Sequence, residues 1–314
     1  MINNGIKPVY VFDGKPPTMK SGELDKRMAK RADAEAALEK AKEEGNEEEV
    51  DKQSRRLVKV SKEHVKDYKT LLKLMGVPFV SAPCEAESQC AELVKKGKVY
   101  AVGTEDMDAL TFGTTVLLRH LTFSEARTKD LGIQEFHLEK VLEEFNMTQS
   151  EFTDLCILLG CDYCEKIRGM GPKNAFKAVQ EHKNIETVIE KMDKKKYTVP
   201  ENWMFAEARR LFTNPDVTPG EQFEFKWEKP DIEGLVKFMC EEKGFDEQRI
   251  RNKAKDLTKA REGTTQGRLD GFFKVLSTTP KSSNGTKRKS EEINGSAGKK
   301  SKNAGGKKGF YGKR

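Results

Sequence analysis

Three acidic groups in this sequence each follow a short apolar run. Asp13 closes VYVFD, Glu85 and Glu87 lie in APCEAES just after VPFV, and Asp106 and Asp108 lie in TEDMDAL just after VYAV. A further acid, Asp162, sits in ILLGCDYC at the end of an apolar helical stretch. Charges beside buried segments are costly to desolvate unless something compensates them. In an open parallel sheet, ligand sites form beyond the carboxyl ends of the strands. If the apolar runs are neighbouring strands, six carboxylates converge, and they repel one another unless cations neutralise them. Hard oxygen donors suit Mg²⁺ or Mn²⁺. Two such ions about 4 Å apart can activate a water and stabilise the leaving oxygen in phosphodiester hydrolysis. Each group also has a plainer reading. Glu85 and Glu87 suit the positive end of a helix, and an Asp after a strand is commonly a turn residue or cap. The coincidence of the groups at equivalent positions favours the metal site.

The elements that must position these acids alternate. Residues 7–12, 77–80, 99–102 and 115–119 have the apolar, β-branched character of buried strands, and 85–96, 138–146 and 149–159 have helical patterns. That alternation predicts an α/β fold with a parallel sheet. Between the first two strands, residues 20–74 are strongly charged and helix-forming, with a break at EEGN, 43–46. Two helices joined as a hairpin are expected, the first with little apolar surface to bury. On it, Lys20, Arg27 and Arg31 fall within about 40° of one face. Such a stripe suits phosphates, or equally a solvated, salt-bridged helix, since Glu23 and Glu35 lie nearby.

From 149 to 260 the pattern is mainly helical. Within it, IRGMGPKNAF (167–176) sets Gly169 and Gly171 before Pro172, with Lys173 and Lys177 following. Glycines permit tight turns and close approach of a ligand, and Pro fits the first helical position. A helix-hairpin-helix type element that grips duplex backbone through helix-end amides is expected here; the plainer alternative is a helix–turn–helix connection. Later, TQGRLDGFFKV offers Gln266, Leu269, Phe272 and Phe273, an anchor suited to a partner's groove. From 277 onward Ser, Gly, Lys and Asn dominate, predicting a disordered basic tail.

The charge is unevenly placed. Net charge is +7, yet residues 281–314 hold eleven Lys/Arg against two Glu, leaving 47 Lys/Arg and 49 Asp/Glu in the rest. Any nucleic-acid role of the body must come from where its charges sit. No run of 18 apolar residues exists, so no membrane partner is expected. Six cysteines spread over 314 residues suggest reduced thiols, and the lone Cys161-x-x-Cys164 reads as structural. KRK at 287–289 and KKSK at 299–302 fit nuclear import, or simple solvation.

Together VYVFDGKPP, SAPCEAESQCAEL, VYAVGTEDMDALTFG, LLGCDYCEKIRGMGPKNA and TQGRLDGFF resemble the structure-specific 5′ nucleases, in particular the eukaryotic flap endonucleases, from about residue 5 to 275. The resemblance implies a DNA-cutting enzyme with endonuclease and 5′–3′ exonuclease activity, acting on 5′ flaps in Okazaki-fragment maturation and long-patch base excision repair. It implies two Mg²⁺ per chain, one served by Asp13, Glu85 and Glu87 and one by Asp106, Asp108 and Asp162. Lys20 and Arg27 match catalytic residues of a helical gateway, with Arg31 on the same helix. Glu85, Gly160 and Asp162 would lie against DNA, as would Gly169, Gly171, Lys173 and Lys177 of the duplex grip, where a K⁺ site is implied. Gln266, Leu269, Phe272 and Phe273 match a peptide that binds the trimeric sliding clamp. A monomer in the nucleus (nucleoplasm and nucleolus) and mitochondrion is expected.

The implied organisation is a nuclease core with its helical arch over 1–148, an internal helix-hairpin-helix region over 149–260, a clamp-binding peptide at 261–276 and a tail at 277–314. The chain departs from the family pattern in places. It opens on what the family has as an inner strand, so the sheet should lack a neighbour and the first metal site an Asp. Lys166 stands where a small hydroxyl residue is common, and Asn174 where a basic one is. A rival reading therefore remains: a non-catalytic protein that docks on the sliding clamp or on branched DNA.

Overall fold

The strand β1 (Tyr10–Phe12) pairs in parallel with β2 (Phe79–Ser81), Val11 opposite Val80, in the computed structural model, which describes residues 1–121 and 132–262. A second sheet holds β3 (Val102–Gly103), β4 (Val116–Arg119) and β5 (Gln134–His137). The β3–β4 pair is parallel, as the alternating pattern predicts, although of the expected strand over 99–102 only Val102 lies in β3. The β4–β5 pair is antiparallel, and β5, with its mixed QEFH composition, was not legible as a strand. Thus the parallel core is split between two small sheets. Among the described residues β1 has β2 as its single strand partner, and Tyr10 on it is 42% exposed.

The charged segment forms three helices rather than two: α1 (Ser21–Glu43), α2 (Glu47–Leu57) and α3 (Lys62–Leu74). The first break falls where expected. Gly45 takes a left-handed φ of 67°, and Asn46 caps α2 by accepting from the Glu49 amide at 3.1 Å. The second break, at 58–61, comes from Val58 and Val60, both exposed, and from Ser61, which forms a capping box with His64. As predicted, α1 has almost no core face: Ala34 and Ala41 are its buried residues, and α2 packs back along it. Its start is fixed by Met19, which rests on the main hydrophobic core.

Helix α4 (Ala86–Lys95) follows β2, and the short α5 (Asp108–Thr111) follows β3. Beyond β5 come α6 (Leu138–Phe145), α7 (Gln149–Leu159), α8 (Pro172–His182), α9 (Ile185–Lys191) and α10 (Phe205–Thr213), then α11 (Ile232–Val236) and α12 (Glu247–Glu262). The main core gathers Phe112, Leu155, Ile157, Leu158, Ile167 and Phe212. A second cluster joins Val94, Val102, Leu110, Leu117 and Leu138 under the β3–β4 sheet. No helix among the described residues is long and apolar enough to cross a membrane.

One ion pair ties the helical region together. The Asp154 carboxylate, 1% exposed, accepts from Arg209 Nε at 2.6 Å and Nη2 at 2.8 Å, and from the Ile185 amide at 3.1 Å. Burial pushes the Asp154 carboxyl up, and the Arg209 guanidinium opposes that shift. Arg209 also reaches Glu186 at 2.8 and 2.9 Å, so α7, α9 and α10 meet at one guanidinium. Removing it strands a buried charge, which costs far more than the pair contributes. Arg209→Met is expected to lower stability by about 3–5 kcal/mol, and Asp154→Leu added to it should recover most of the loss; urea unfolding of the three chains measures both.

Candidate active site

The acidic residues lie where the chain leaves its strands. After β1, Asp13 and Gly14 run against the segment that follows β2. A Cβ on Gly14 would stand 2.2 Å from the Ala82 carbonyl oxygen and 2.4 Å from that of Pro83, so only glycine permits this approach. The contact is held by Gly14 N donating to the Cys84 carbonyl at 2.6 Å and Lys15 N to that of Pro83 at 3.1 Å. It brings Asp13 to the start of α4, where Asp13 Oδ1 accepts from the Ala86 amide at 2.9 Å.

Glu85 is the N-cap residue of α4 and Glu87 lies in its first turn. Two acids at i and i+2 reach one site only from such a first turn, and that is the placement found. Beyond β3, Asp106 Oδ1 accepts from the Asp108 amide at 2.9 Å, an Asx turn that sets Asp106 just before α5 and Asp108 at its first position. Glu105, the third acid of that loop, serves structure instead: its Oε1 accepts from the His120 amide at 2.8 Å. Asp162 comes from the turn after α7. Gly160 ends that helix at a φ of 106°, which a side chain would strain.

These groups feel one another. Burial raises the Glu87 carboxyl, and Asp13, Asp106 and Glu85 raise it further. Burial, then Asp106 and Asp162, push the Asp108 carboxyl up to about 6. Four chain segments therefore share one electrostatic site, as the spacing of the acids implied.

Two basic residues from the start of α1 sit on this site. Lys20 is ion-paired with Glu85 and stands 3.2 Å from Asp162 Oδ2; Arg27 Nη2 is 3.0 Å from the same oxygen. Burial by itself would lower the Lys20 ammonium, but the hydrogen bond and charge of Glu85, then those of Asp162, hold it above its ordinary value. Lys20 thus faces the acids, whereas Arg27, 56% exposed, both reaches Asp162 and pairs with Glu23 at 3.2 Å, so both readings of the stripe hold for it. Arg31 lies farther along α1, and among the described residues it makes no ion pair.

Among the described residues no group of three His, Cys, Asp or Glu side chains stands in a metal-holding arrangement. In the same place Lys20 and Arg27 are paired with Glu85 and Asp162. The donor chemistry nonetheless fits a hard divalent cation. It is carboxylate oxygen throughout, with two members raised by burial and then by their neighbours' charge. One contributor escaped notice in the sequence. Tyr163, 6% exposed, donates its hydroxyl to Glu85 Oε2 and so orients that carboxylate. Its single clue was an aromatic placed inside the polar turn CDYC.

The 167–171 turn is anchored by buried Ile167 and Met170, and Arg168 bridges to Thr198. Gly169 has a φ of 85°, with the Lys196 carbonyl oxygen 2.8 Å from any Cβ. Gly171 is the N-cap of α8, Pro172 opens it, and Lys173 and Lys177 are exposed on it. Cys161 and Cys164 are free thiols facing each other across the Asp162 turn. Gln266, Leu269, Phe272, Phe273 and the tail lie outside the described residues.

Comparison with known proteins shows what the chain is similar to. The XPG N-terminal domain pattern matches residues 1–34, which carry Asp13, Lys20, Arg27 and Arg31, and the XPG I-region pattern matches 76–162, which carries the other five acids. The chain is 61% identical over 305 residues to flap endonuclease 1 of Nematostella vectensis, covering 97% of this chain and 79% of that protein. It is 58% identical over 309 residues to flap endonuclease 1 of Aedes aegypti, covering 98% and 80%. Among solved structures, flap endonuclease-1 from Methanococcus jannaschii superposes with a TM-score of 0.60 at 30% identity, over 82% of this chain and 77% of that one. The catalytic core of Rad2, solved with a DNA substrate, shares the fold at a TM-score of 0.63 and 22% identity, over 82% and 79%. With nearly the whole chain aligned at this identity, and the aligned regions holding every residue of the acidic site, the chain belongs to the flap endonuclease family.

Proposed function

We propose that this chain is a structure-specific nuclease that hydrolyses DNA at 5′ flaps, with Mg²⁺ as its cofactor. The observation that carries the reading is the meeting of six carboxylates from four segments beneath Lys20 and Arg27. Asp13, Glu85 and Glu87 would hold one Mg²⁺, and Asp106, Asp108 and Asp162 a second. When bound, the ions supply charge neutralisation and water activation for phosphodiester hydrolysis.

The protein's own groups do the rest. Lys20 and Arg27 bind and orient the scissile phosphate, the ammonium as a point charge and the guanidinium as a planar fork. Glu85 and Asp162 keep both poised at the site before DNA arrives. The Tyr163 hydroxyl fixes Glu85, and Gly160, whose φ of 106° turns the chain sharply before Asp162, would lie against the DNA backbone. Lys173 and Lys177, with the Gly169–Gly171 turn, grip duplex backbone away from the cut. A K⁺ at that turn belongs to the same reading, with Lys166 working against it. Phe272 and Phe273 dock on the trimeric sliding clamp, which ties a nuclear enzyme to replication and repair.

The rival, a non-catalytic DNA- or clamp-docking protein, draws on one observation: among the described residues the acids do not stand in a metal-holding arrangement. Cleavage decides between them. With a 5′-flap substrate and Mg²⁺, Asp162→Ala is expected to cut slower by on the order of 100-fold or more; equal product from both chains would end the enzyme reading. Lys20→Ala should lose turnover by a similar on-the-order-of-100-fold factor while flap binding changes little.

Metal binding has its own readout. Because Asp108 in the folded chain ionises near 6 rather than 3.8, its stabilising contribution is present below 3.8 and is lost as pH rises through about 6. In metal-free melts Asp108→Asn should match the parent at the acid end of that window and exceed it above. Added Mg²⁺ should raise the melting temperature of the parent more than that of Asp108→Asn.

Clamp docking is separable. Phe272→Ala with Phe273→Ala is expected to abolish binding to the sliding clamp in a pull-down and leave flap cleavage unchanged; retained binding removes the partner from the reading.

A further inference from the structure

The turn that delivers Asp162 and Tyr163 to the site is bracketed by two thiols. Cys161 and Cys164 pair as an isolated antiparallel bridge, and their sulfurs are in hydrogen-bond contact at 3.8 Å. Both are half-buried, so a small oxidant reaches them. Among the described residues no other two of the six free cysteines make such a contact. The end residues of a four-residue turn lie within the Cα span that a disulfide accepts. The two residues enclosed are the ones that hold the site together: Asp162 faces Lys20 and Arg27, and Tyr163 donates to Glu85.

We propose that Cys161 and Cys164 form a reversible oxidation site that closes to a disulfide under peroxide and slows cleavage by displacing Asp162 and Tyr163. This rests on the nuclease reading above. The chemistry balances with hydrogen peroxide as the oxidant. One sulfur, as thiolate, attacks a peroxide oxygen; the O–O bond breaks, one water is released and a sulfenic acid forms. The second sulfur then attacks the first, the S–O bond breaks, a second water leaves and the S–S bond forms. The two thiols lose two protons and two electrons, and the peroxide gains them.

The mechanical consequence follows from distance. The sulfurs must close from 3.8 Å to about 2.05 Å. The four-residue turn takes up part of that movement. Groups at a reacting centre tolerate displacements of only about 0.5 Å, and 1 Å costs up to about 100-fold.

The test treats the full chain with hydrogen peroxide, maps the 161–164 peptide by mass and measures flap cleavage before oxidation, after it and after dithiothreitol. The expected result is loss of two hydrogens in that peptide and cleavage slower by on the order of tenfold, restored by the reductant. Cys164→Ser and Cys161→Ser should each keep their cleavage through the same treatment. A peptide that retains its thiols, a disulfide that leaves cleavage unchanged, or serine variants that lose cleavage as the parent does would each overturn the proposal. Should the reduced chain fail to cut at all, the nuclease reading falls, and peptide mapping with the Mg²⁺ melting shift still decides the oxidation site.

Discussion

Repulsion among carboxylates is the constraint on which this structure turns. Asp13, Glu85, Glu87, Asp106, Asp108 and Asp162 come from segments up to 149 residues apart in the chain, yet they act on one another's ionisation. A fold that brings such charges together must supply counter-charge. Here the start of α1 supplies it, through Lys20 on Glu85 and Arg27 on Asp162. The price of assembling the acids is thereby shared between the site and the arch that stands over it.

That arrangement explains why α1 can be so poor in apolar residues. A helix with only Ala34 and Ala41 buried gains little from the hydrophobic effect. Met19 pins its first turn to the core, and the ion pairs of Lys20 and Arg27 pin it to the site. The remaining length is supported by α2 rather than by the body. An arch held at its base by Met19 and two cationic side chains, and elsewhere by α2, can give way where those ion pairs are exchanged for other charges.

The helical region solves a different problem. It must deliver Asp162 and the 167–171 turn from a rigid base. Helix α7 is buried along most of its length, Gly160 breaks it abruptly, and Tyr163 and Ile167 drive the following turn into the core. The Asp154–Arg209 pair then locks α7 to α9 and α10. Structural charge and site charge are thus kept apart. Asp154 is paired inside the fold with a guanidinium, whereas in the site Glu85 and Asp162 are paired at its edge with Lys20 and Arg27, and the other four acids make no ion pair among the described residues.

Much of this was determined by local chemistry in the sequence. The acids after apolar runs, the glycine–proline turn, the break at Gly45 and the poverty of apolar surface on α1 all depend on residue type and spacing over a few positions, and they hold in the structure. Other features required the folded chain. The antiparallel β5 takes its conformation from pairing with β4, since QEFH has no strand pattern of its own. The break at 58–61 depended on a cap that competed with strong helix formers on both sides. The roles of Lys20 and Tyr163 depended on contacts across 65 and 78 residues. Glu105 and Asp106 are adjacent and chemically alike, yet Glu105 is tied to the distant His120 amide, and Asp106 stays among the acids of the site. Only tertiary structure could separate them, because what a carboxylate does is set by which charges and amides the fold places opposite it.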